Sequence, residues 1–489
     1  MIEKNKGKIY CFMSREERRK IAMLNKFVLL QDRIKSILNN KYIEEIYIVI
    51  VSLISLLCWN YNSIAGISIL VFIATITIIL TNDLKYIIPI VIFLPFTIGF
   101  SFSATIIPIP LIVVTCIFII VLIIFTILNG IHISKMKSLI PLFGIGITTL
   151  IPIFWFVPKN ESQVALYFVY FGNILFCVLY FILVNGIKED GKIIISKSVS
   201  YLILLLTMQL IIRIIDIKGE LTIIENIFYC GWGLCNEAGI MICFSFPFSF
   251  YLLNKSNNLG IFIYRLIIIL FGCIGIFFSG SRASYIFGGL IVLLSFITSC
   301  FLNKNKKTII TVLIFMVIIC ICIFVLKDKI IENLNIVFSK GLENNGRFKL
   351  YVKAWNIITS SLKNIFFGAG SCALIEKLYT SGGFQEGQVV FHSTFFQTLI
   401  VGGIACFIFL LVHLVQKYRM LLLCERQLAV PLFISFLMVD LYGMIDNTYH
   451  MFYYMIPLVT ILACFDSSFN DKLSFIYLKK LKLDSDYIR

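Results

Sequence analysis

Apolar runs of about twenty residues recur along the chain between residues 43 and 465. Each run is long enough to cross the roughly 30 Å hydrocarbon core of a bilayer as a helix. Hydrophobic residues make up 60% of the chain and its mean hydropathy is +0.97, a balance that ordinary water-soluble domains do not reach. Strand-length alternation of polar and apolar residues is absent, which argues against a transmembrane barrel. The sequence therefore predicts an all-α polytopic membrane protein.

We predict about fourteen spans and one large outer loop that contains an amphipathic helix. The segments are a basic N-terminal tail (1–42), a first part of the transmembrane bundle (43–326), the outer loop (327–390), the last part of the bundle (391–465) and a basic C-terminal tail (466–489). The N-terminal tail shows no cleavable signal peptide, and we expect it to rest on the inner leaflet. The predicted spans are centred at Val51, Phe72, Thr97, Ile119, Gly146, Leu175, Leu205, Phe244, Leu270, Val292, Phe315, Ile404, Leu437 and Leu458.

Basic residues set the predicted orientation. With both tails in the cytoplasm, about 30 of the 42 lysines and arginines fall on the inner side, in agreement with the positive-inside rule. That count assigns Lys197, Arg265 and Lys417 to inner loops. The rule accounts for most of the net charge of +16, which in a soluble protein would suggest nucleic acid. We therefore expect no nucleic-acid partner.

The 15 cysteines lie mostly inside apolar runs and show no metal-ligand spacing. Cys230 and Cys235 lie outside these runs, where a disulfide and two free thiols both remain open. The sequence has no nucleotide-binding fingerprint and no cluster that reads as a metal site, so we expect neither a metal nor a cofactor. Chemistry on the outer face has no nucleotide supply. A donor would arrive there already activated, on a lipid.

Two arginines stand in segments that could bind an anion. Arg282, in "FFSGSRASYIFGG", lies in a very short outer turn, where it could snorkel or clamp phosphate oxygens. The segment Gly341–Ser371 predicts an amphipathic helix on the outer membrane surface or capping the bundle. Arg347 falls in its first turn, after Asn344 or Asn345 as N-cap, where free backbone N–H groups already favour anions. The apolar stripe consists of Phe348, Tyr351, Val352, Trp355, Ile358 and Leu362.

A histidine precedes the next predicted span, in "VVFHSTFFQTLIVGG". His392 lies at the outer mouth of that span, as a hydrogen-bonded boundary residue or as a general base. Gly402 and Gly403 would lie about three helical turns deeper and permit close packing.

Carboxylates lie at or near the outer ends of other spans. Asp440 is expected within a span, where it could pair inside the bundle or carry a function. Asp446 and His450 fall in a short outer turn, and Glu237 lies at the outer end of another span.

Three pieces of the sequence, taken in order, resemble the bacterial O-antigen polymerase and ligase family. They are "SGSRASY", "GRFKLYVKAWNIITSSLKNIFFGAG" and "HSTFFQTLIVGG", within roughly Phe277 to Leu411. The family pattern is a serine-arginine turn, an arginine before a tryptophan helix and a Gly-x-Gly turn, and a His-Asn or His-Ser pair with a glycine ten residues on. Ser393 and Gly403 fit that last spacing. Val401 and Cys406 depart from the pattern, where the family often has an acidic residue and a second glycine.

The resemblance implies glycosyl transfer at the outer face of a bacterial cytoplasmic membrane, from a polyprenyl-diphosphate-linked oligosaccharide. By match of motif, Arg282 and Arg347 would bind the diphosphate and stabilise charge on the leaving group. His392 would orient or deprotonate the acceptor hydroxyl, with no metal needed. The other residues that we place at the substrate site are Tyr351, Ser393, Glu237 and Asp446.

Three functions remain open on the sequence. A polymerase would join lipid-linked repeat units of an O-antigen or a capsular polysaccharide, alongside assembly proteins such as a flippase and a chain-length regulator. A ligase would move the glycan to a lipid core or to protein. A lipid-linked oligosaccharide flippase would also suit many spans, but transporters often show internal repeats and midplane charges. This chain gathers its candidate groups at the outer face, which favours an enzyme in the bilayer.

Overall fold

The computed structural model describes residues 15–97, 109–131, 136–155, 161–219, 229–230, 233–256, 258–302, 306–325, 327–328, 330–331, 335, 347–370, 375–380, 383–388, 391–422 and 424–467. Its α-helices are α1 (Arg15–Leu38), α2 (Lys41–Asn60), α3 (Ile64–Thr81), α4 (Ile88–Phe93), α5 (Ile109–Asn129), α6 (Leu139–Leu150), α7 (Glu161–Gly186), α8 (Lys192–Lys218), α9 (Cys235–Asn254), α10 (Leu259–Phe278), α11 (Arg282–Leu302), α12 (Lys306–Val325), α13 (Arg347–Thr359), α14 (Leu362–Phe367), α15 (Thr394–Leu421), α16 (Arg426–Gly443) and α17 (Phe452–Ser467). Short 3₁₀ helices cover Leu84–Ile87, Leu94–Phe96 and Ile151–Phe154.

Within the described residues, 8 helices are long and apolar enough to cross a membrane. Five shorter apolar helical segments lie beside them, at Ala65–Thr81, Leu84–Phe96, Leu139–Phe154, Tyr170–Gly186 and Phe452–Ser467. The chain is therefore a polytopic helical membrane protein, and the total of fourteen spans stays a prediction.

In its described part, residues 84–97, the span expected around Thr97 is not a single regular helix. The chain from Leu84 to Phe96 passes from 3₁₀ to α and back to 3₁₀ helix. Pro89 and Pro95 lie in it, and each removes a backbone donor and disfavours a continuous α-helix. Thr97 follows as the C-terminal cap.

Helix α9 lies at the centre of the bundle. Of its apolar stretch, 89% is buried inside the protein, against α8, α10, α11 and α16. Because other helices and not lipid surround it, it tolerates polar residues that pair internally. The hydroxyls of Ser249 and Ser200 lie 2.6 Å apart, and Ser435 donates to the carbonyl of Phe244 at 2.5 Å. A central position thus explains the modest hydropathy of 1.2.

Two short antiparallel hairpins accompany the helices of this all-α bundle. β1 (Tyr229–Cys230) pairs with β2 (Gly233–Leu234), just before α9. β3 (Ile375–Thr380) pairs with β4 (Gly383–Gln388) inside the predicted outer loop. Strands of this length carry little periodicity, which is why the apolar pattern missed them. The side chains of Cys230 and Cys235 lie outside the described part, so the choice between a disulfide and two free thiols stays open.

Two cations that the sequence assigned to inner loops lie inside helices. Lys197 and Arg265 belong to α8 and α10 and are buried. Lys197 Nζ lies 2.6 Å from Glu44 Oε1, and Arg265 Nη2 lies 2.5 Å from Glu45 Oε1. The loop assignment was wrong because a hydropathy average does not show that a charge near a helix end is paired inside the bundle. Buried charges are retained where such partners satisfy them.

Asp440 lies within α16, as expected, and its partner corrects a third assignment. Lys417, also predicted in an inner loop, lies inside α15 with its side chain fully buried. Its Nζ donates to both carboxylate oxygens of Asp440, at 2.6 Å and 2.7 Å.

The amphipathic helix predicted in the outer loop is present as α13, but its stripe divides into two faces. Ala354 and Ile358 are buried against α15. Phe348 and Trp355 are exposed and face away from the bundle. The helix therefore caps the bundle with one face and leaves an apolar face open.

Candidate functional site

Helix α15 is not one straight span. At Gly403 the backbone adopts φ 66° and ψ −166°, which breaks the helix between residues 394–402 and residues 404–421. The ring centroids of Phe395 and Phe407 lie 5.9 Å apart, although twelve residues of straight helix rise about 18 Å. The first arm (394–402) therefore folds back along the second arm (404–421), as a re-entrant helix.

This fold-back reverses the expected depths of the histidine and the glycines. Thr394 lines the same small cavity as Leu410 and Leu414, which lie well along the second arm. Gly403 is therefore at the surface end of the segment, and His392 lies deeper. The expectation of glycines three turns below His392 was wrong, since it assumed a straight helix.

The Gly-x-Gly turn after α14 caps the end of the first arm. The break leaves carbonyls of that arm without intrahelical donors. The backbone N–H groups of Ala369 and Gly370 both donate to Ile400 O, at 2.7 Å and 3.2 Å. Gly368 has φ +83°, and a Cβ there would lie 2.6 Å from the backbone nitrogen of Gly402. The two glycine motifs of the sequence thus form one backbone-to-backbone contact.

His392 stands directly before the first arm, in an unusual conformation. Its φ of 47° is in the left-handed region, which non-glycine residues adopt rarely and often at functional sites. Its Nδ1 lies 3.2 Å from Asp446 Oδ1, and its side chain is 39% exposed. The Tyr351 hydroxyl donates to the His392 carbonyl at 3.0 Å, and its ring stacks on Phe396. The imidazole is therefore oriented by Asp446 at Nδ1, and the ring is still partly exposed.

Asp446 is buried and held by several donors. The Asn447 N–H donates to Oδ1 at 2.8 Å, and the Tyr442 hydroxyl donates to Oδ2 at 2.9 Å. Burial alone would raise the pKa of Asp446. The hydrogen bond and charge of His392 and these two donors outweigh burial and hold that pKa below its ordinary value of 3.8. The carboxylate is thus ionised and available to orient His392.

The turn that carries Asp446 also holds the first arm in place. The Thr394 N–H donates to the Asp446 carbonyl at 3.1 Å, and the Thr448 N–H donates to Thr394 Oγ1 at 3.0 Å. One turn along the arm, Thr398 Oγ1 lies 3.0 Å from His450 Nε2. His450, singled out on the sequence, therefore fastens the arm and is buried.

Arg282 begins α11 after a tight turn from α10. Gly280 takes φ 62° in this turn, and Ser281 Oγ accepts from the Ser284 N–H at 3.2 Å as a helix cap. A Cβ on Gly239 of α9 would lie 2.3 Å from Ser284 Oγ. The small residues thus let α9 approach the turn closely.

Glu237, Arg282 and Asp446 lie at one end of the bundle. Glu237 is in the first turn of α9, next to the turn that Arg282 leaves. Tyr442, which donates to Asp446, packs edge-on against Phe287 of α11 with centroids 6.1 Å apart. Tyr442 is also within electrostatic reach of Glu237. The structure therefore brings these three predicted site residues and His392 to the same side.

The remaining predicted residues are Arg347, Ser393 and Tyr351. Arg347 begins α13, as predicted, whereas Asn344 and Asn345 lie outside the described residues. Ser393 is 3% exposed and is the N-cap of α15, its Oγ accepting from the backbone N–H three residues on at 3.5 Å. Tyr351 supports the His392 carbonyl. Ser393 and Tyr351 thus fix the backbone around His392. Their contact with the substrate stays a prediction.

One residue that the sequence reasoning missed is Gln397. Its side chain is fully buried in the first arm and donates to the Tyr170 hydroxyl at 2.6 Å. Its Oε1 accepts from the Phe391 N–H at 3.3 Å. The available signal was a carboxamide inside an apolar run, since such groups find interhelical partners in a membrane.

No group of three histidine, cysteine, aspartate or glutamate side chains that could hold a metal ion occurs in the described ranges. In a comparison with known protein families, the family model described as O-antigen ligase matches residues 266–411. This segment contains Arg282, Arg347, His392 and both glycine motifs, so the resemblance seen in the sequence is confirmed. Asp446 lies beyond its end. No curated protein matches the chain.

Proposed function

We propose that this chain, whose residues 266–411 match the family model for O-antigen ligase, is a glycosyltransferase at the outer face of a bacterial cytoplasmic membrane. The donor is a polyprenyl-diphosphate-linked oligosaccharide, and both termini lie in the cytoplasm. The observation that carries the proposal is the contact between His392 and the ionised Asp446, at 3.2 Å, with the imidazole still partly exposed.

In the proposed reaction, an acceptor hydroxyl oxygen forms the new bond to the anomeric carbon of the donor. The bond from that carbon to the phosphate oxygen breaks, and the lipid diphosphate leaves. His392 takes the hydroxyl proton as general base, and Asp446 holds the imidazole and stabilises its charge. In other enzymes, a general base that activates a nucleophile is often oriented by a third group, and Asp446 has that role here.

The two arginines are proposed to neutralise the leaving diphosphate. Arg282 lies at the end of the bundle that carries His392, and Arg347 begins a helix that packs on α15. A guanidinium group can donate two parallel hydrogen bonds to phosphate oxygens. Such bonds would stabilise the negative charge of the leaving diphosphate without a metal ion. Glu237 and the exposed side of the His392 ring are then proposed to contact the saccharide.

Removal of single groups tests this assignment. Alanine at His392, Arg282 or Arg347 should abolish long-chain glycan while the protein still inserts in the membrane. Lys349→Ala is the matched control, because it removes a cation from an exposed position two residues after Arg347 on the same helix. Normal chains from the His392→Ala strain would refute the assignment, and so would equal losses from Lys349→Ala and Arg347→Ala.

For the acceptor, we propose a second lipid-linked repeat unit, which makes the protein a polymerase. A ligase is the second candidate, because the matched family is described by that activity. Gel analysis of glycan from a deletion strain separates them. Single repeats on the carrier or the core support the polymerase, and long chains left on the lipid carrier support the ligase. Untouched repeats on the inner side would refute both.

A further inference from the structure

A buried ion pair lies beneath the site and contacts the turn that carries Asp446. Besides Asp440, Lys417 Nζ donates to the Tyr449 hydroxyl at 2.5 Å. The Tyr449 hydroxyl in turn donates to Asp440 Oδ1 at 3.1 Å. Tyr449 lies three residues after Asp446 and is buried. The pair thus reaches the site through one phenolic hydroxyl.

The same turn is fixed at three consecutive residues. Thr448 and His450 bind the first arm of α15, and Tyr449 between them points to the ion pair. Asp446 precedes these residues in the turn and makes the contact to His392. A shift of the Tyr449 side chain therefore moves the backbone from which Asp446 extends.

We propose that the Lys417–Asp440 ion pair, acting through the Tyr449 hydroxyl, is a positioning element that sets the contact between Asp446 and His392. The inference rests on the proposed function, since it assigns the pair to that reaction. A charge pair suits this task in a membrane, because neither partner can leave the other in a low-dielectric interior without a large penalty. The anchor is therefore rigid.

The chain offers a matched pair of substitutions. Tyr418 on α15 also donates its hydroxyl to Asp440, to Oδ2 at 2.5 Å. Tyr449→Phe and Tyr418→Phe each remove one phenolic hydroxyl from the same carboxylate and leave Lys417 paired. Only Tyr449 belongs to the turn of Asp446.

The test uses the full-length protein in proteoliposomes and the lipid-linked saccharide that accumulates in the deletion strain. Tyr449→Phe should lower kcat about tenfold or more, because small misplacements of catalytic groups have effects of this size. Its KM for the donor should stay within about twofold, since the donor contacts remain. Tyr418→Phe should keep wild-type kcat. Both variants should have similar melting temperatures.

A second variant covers the case in which Tyr449→Phe folds poorly. Lys417→Met combined with Asp440→Leu removes both charges together, which buried pairs often tolerate. It should reproduce the loss of kcat.

Wild-type kcat in Tyr449→Phe, or equal losses in Tyr449→Phe and Tyr418→Phe, would overturn the inference. If the wild-type protein transferred no saccharide in this assay, the proposed function would fail instead, so the two failures are distinct.

Discussion

Substitution of Gly403 by alanine tests the re-entrant arrangement most directly. The residue has φ 66° and ψ −166°, a region that essentially only glycine occupies. An added Cβ would lie 2.5 Å from the carbonyl carbon and oxygen of Phe366 and from the nitrogen of Phe367. Because these are backbone atoms, no side-chain rotation relieves the overlap.

The expected cost follows from these two terms. Holding a non-glycine residue in such a conformation costs about 1–3 kcal/mol. Overpacking against a fixed neighbour adds about 1–3 kcal/mol. A total of roughly 2–6 kcal/mol is large beside a typical folding free energy of about 5–15 kcal/mol. We expect the first arm of α15 to move away from α14, which displaces His392 and lowers turnover by about 100-fold.

Two measurements check this expectation, the melting temperature of detergent-purified protein and the length of surface glycan in cells. Gly289→Ala is the matched control, since Gly289 lies in α11 with no atom within 4 Å of an added Cβ. It should be neutral or slightly stabilising. Gly368→Ala should resemble Gly403→Ala, and the double variant should cost less than the sum, because both alter one contact. Wild-type melting and glycan length in Gly403→Ala would refute the fold-back of α15.

Three further outcomes are expected from the site. Asp446→Asn should insert normally and lower turnover about 100-fold, because the imidazole of His392 loses its charged partner; pulse-labelled glycan in cells measures this. Since the pKa of Asp446 is lowered, its carboxylate contributes stability that is fully present above its ordinary value of 3.8 and is lost as the pH falls through the lower folded-state pKa. Thermal melts should therefore show an acid-induced loss below pH 3.8 that is smaller in Asp446→Asn. Tyr351→Phe should lower turnover a few-fold, because the support of the His392 carbonyl is lost, and steady-state kinetics measures this.

The order of spans already brings His392 and Asp446 to one side of the membrane. Two apolar runs joined by a short loop separate them, so the two residues are expected on the same side. The same topology predicted the positions of Glu237 and Arg282 at that end. The order of the spans predicts only the side of the membrane on which a residue lies, however. The 3.2 Å contact between His392 and Asp446 depends on the packing of a turn against α15, which no periodicity encodes.

The break in α15 illustrates what an apolar pattern leaves out. The apolar residues of α15 repeat with the same helical period before and after Gly403. The pattern therefore predicts one straight span, whether or not the helix is broken there. Two weak signals were present, the two adjacent glycines and a length of 28 residues, which exceeds what a span needs. The pairing of Lys417 with Asp440 was hidden for a similar reason, since hydropathy places a charge near a helix end without naming its partner.

The break also gives a physical reason for the position in the sequence of the segment predicted to be an outer loop. The break at Gly403 leaves carbonyls of the first arm without intrahelical donors. Here Ala369 and Gly370, at the end of the α13–α14 segment, supply the missing donors to Ile400. The segment that donates these backbone N–H groups lies just before the first arm in the sequence, so only a short stretch of chain is needed to bring the two together. The Gly-x-Gly turn and the broken helix that follows His392 therefore form one structural unit, which holds His392 beside Asp446.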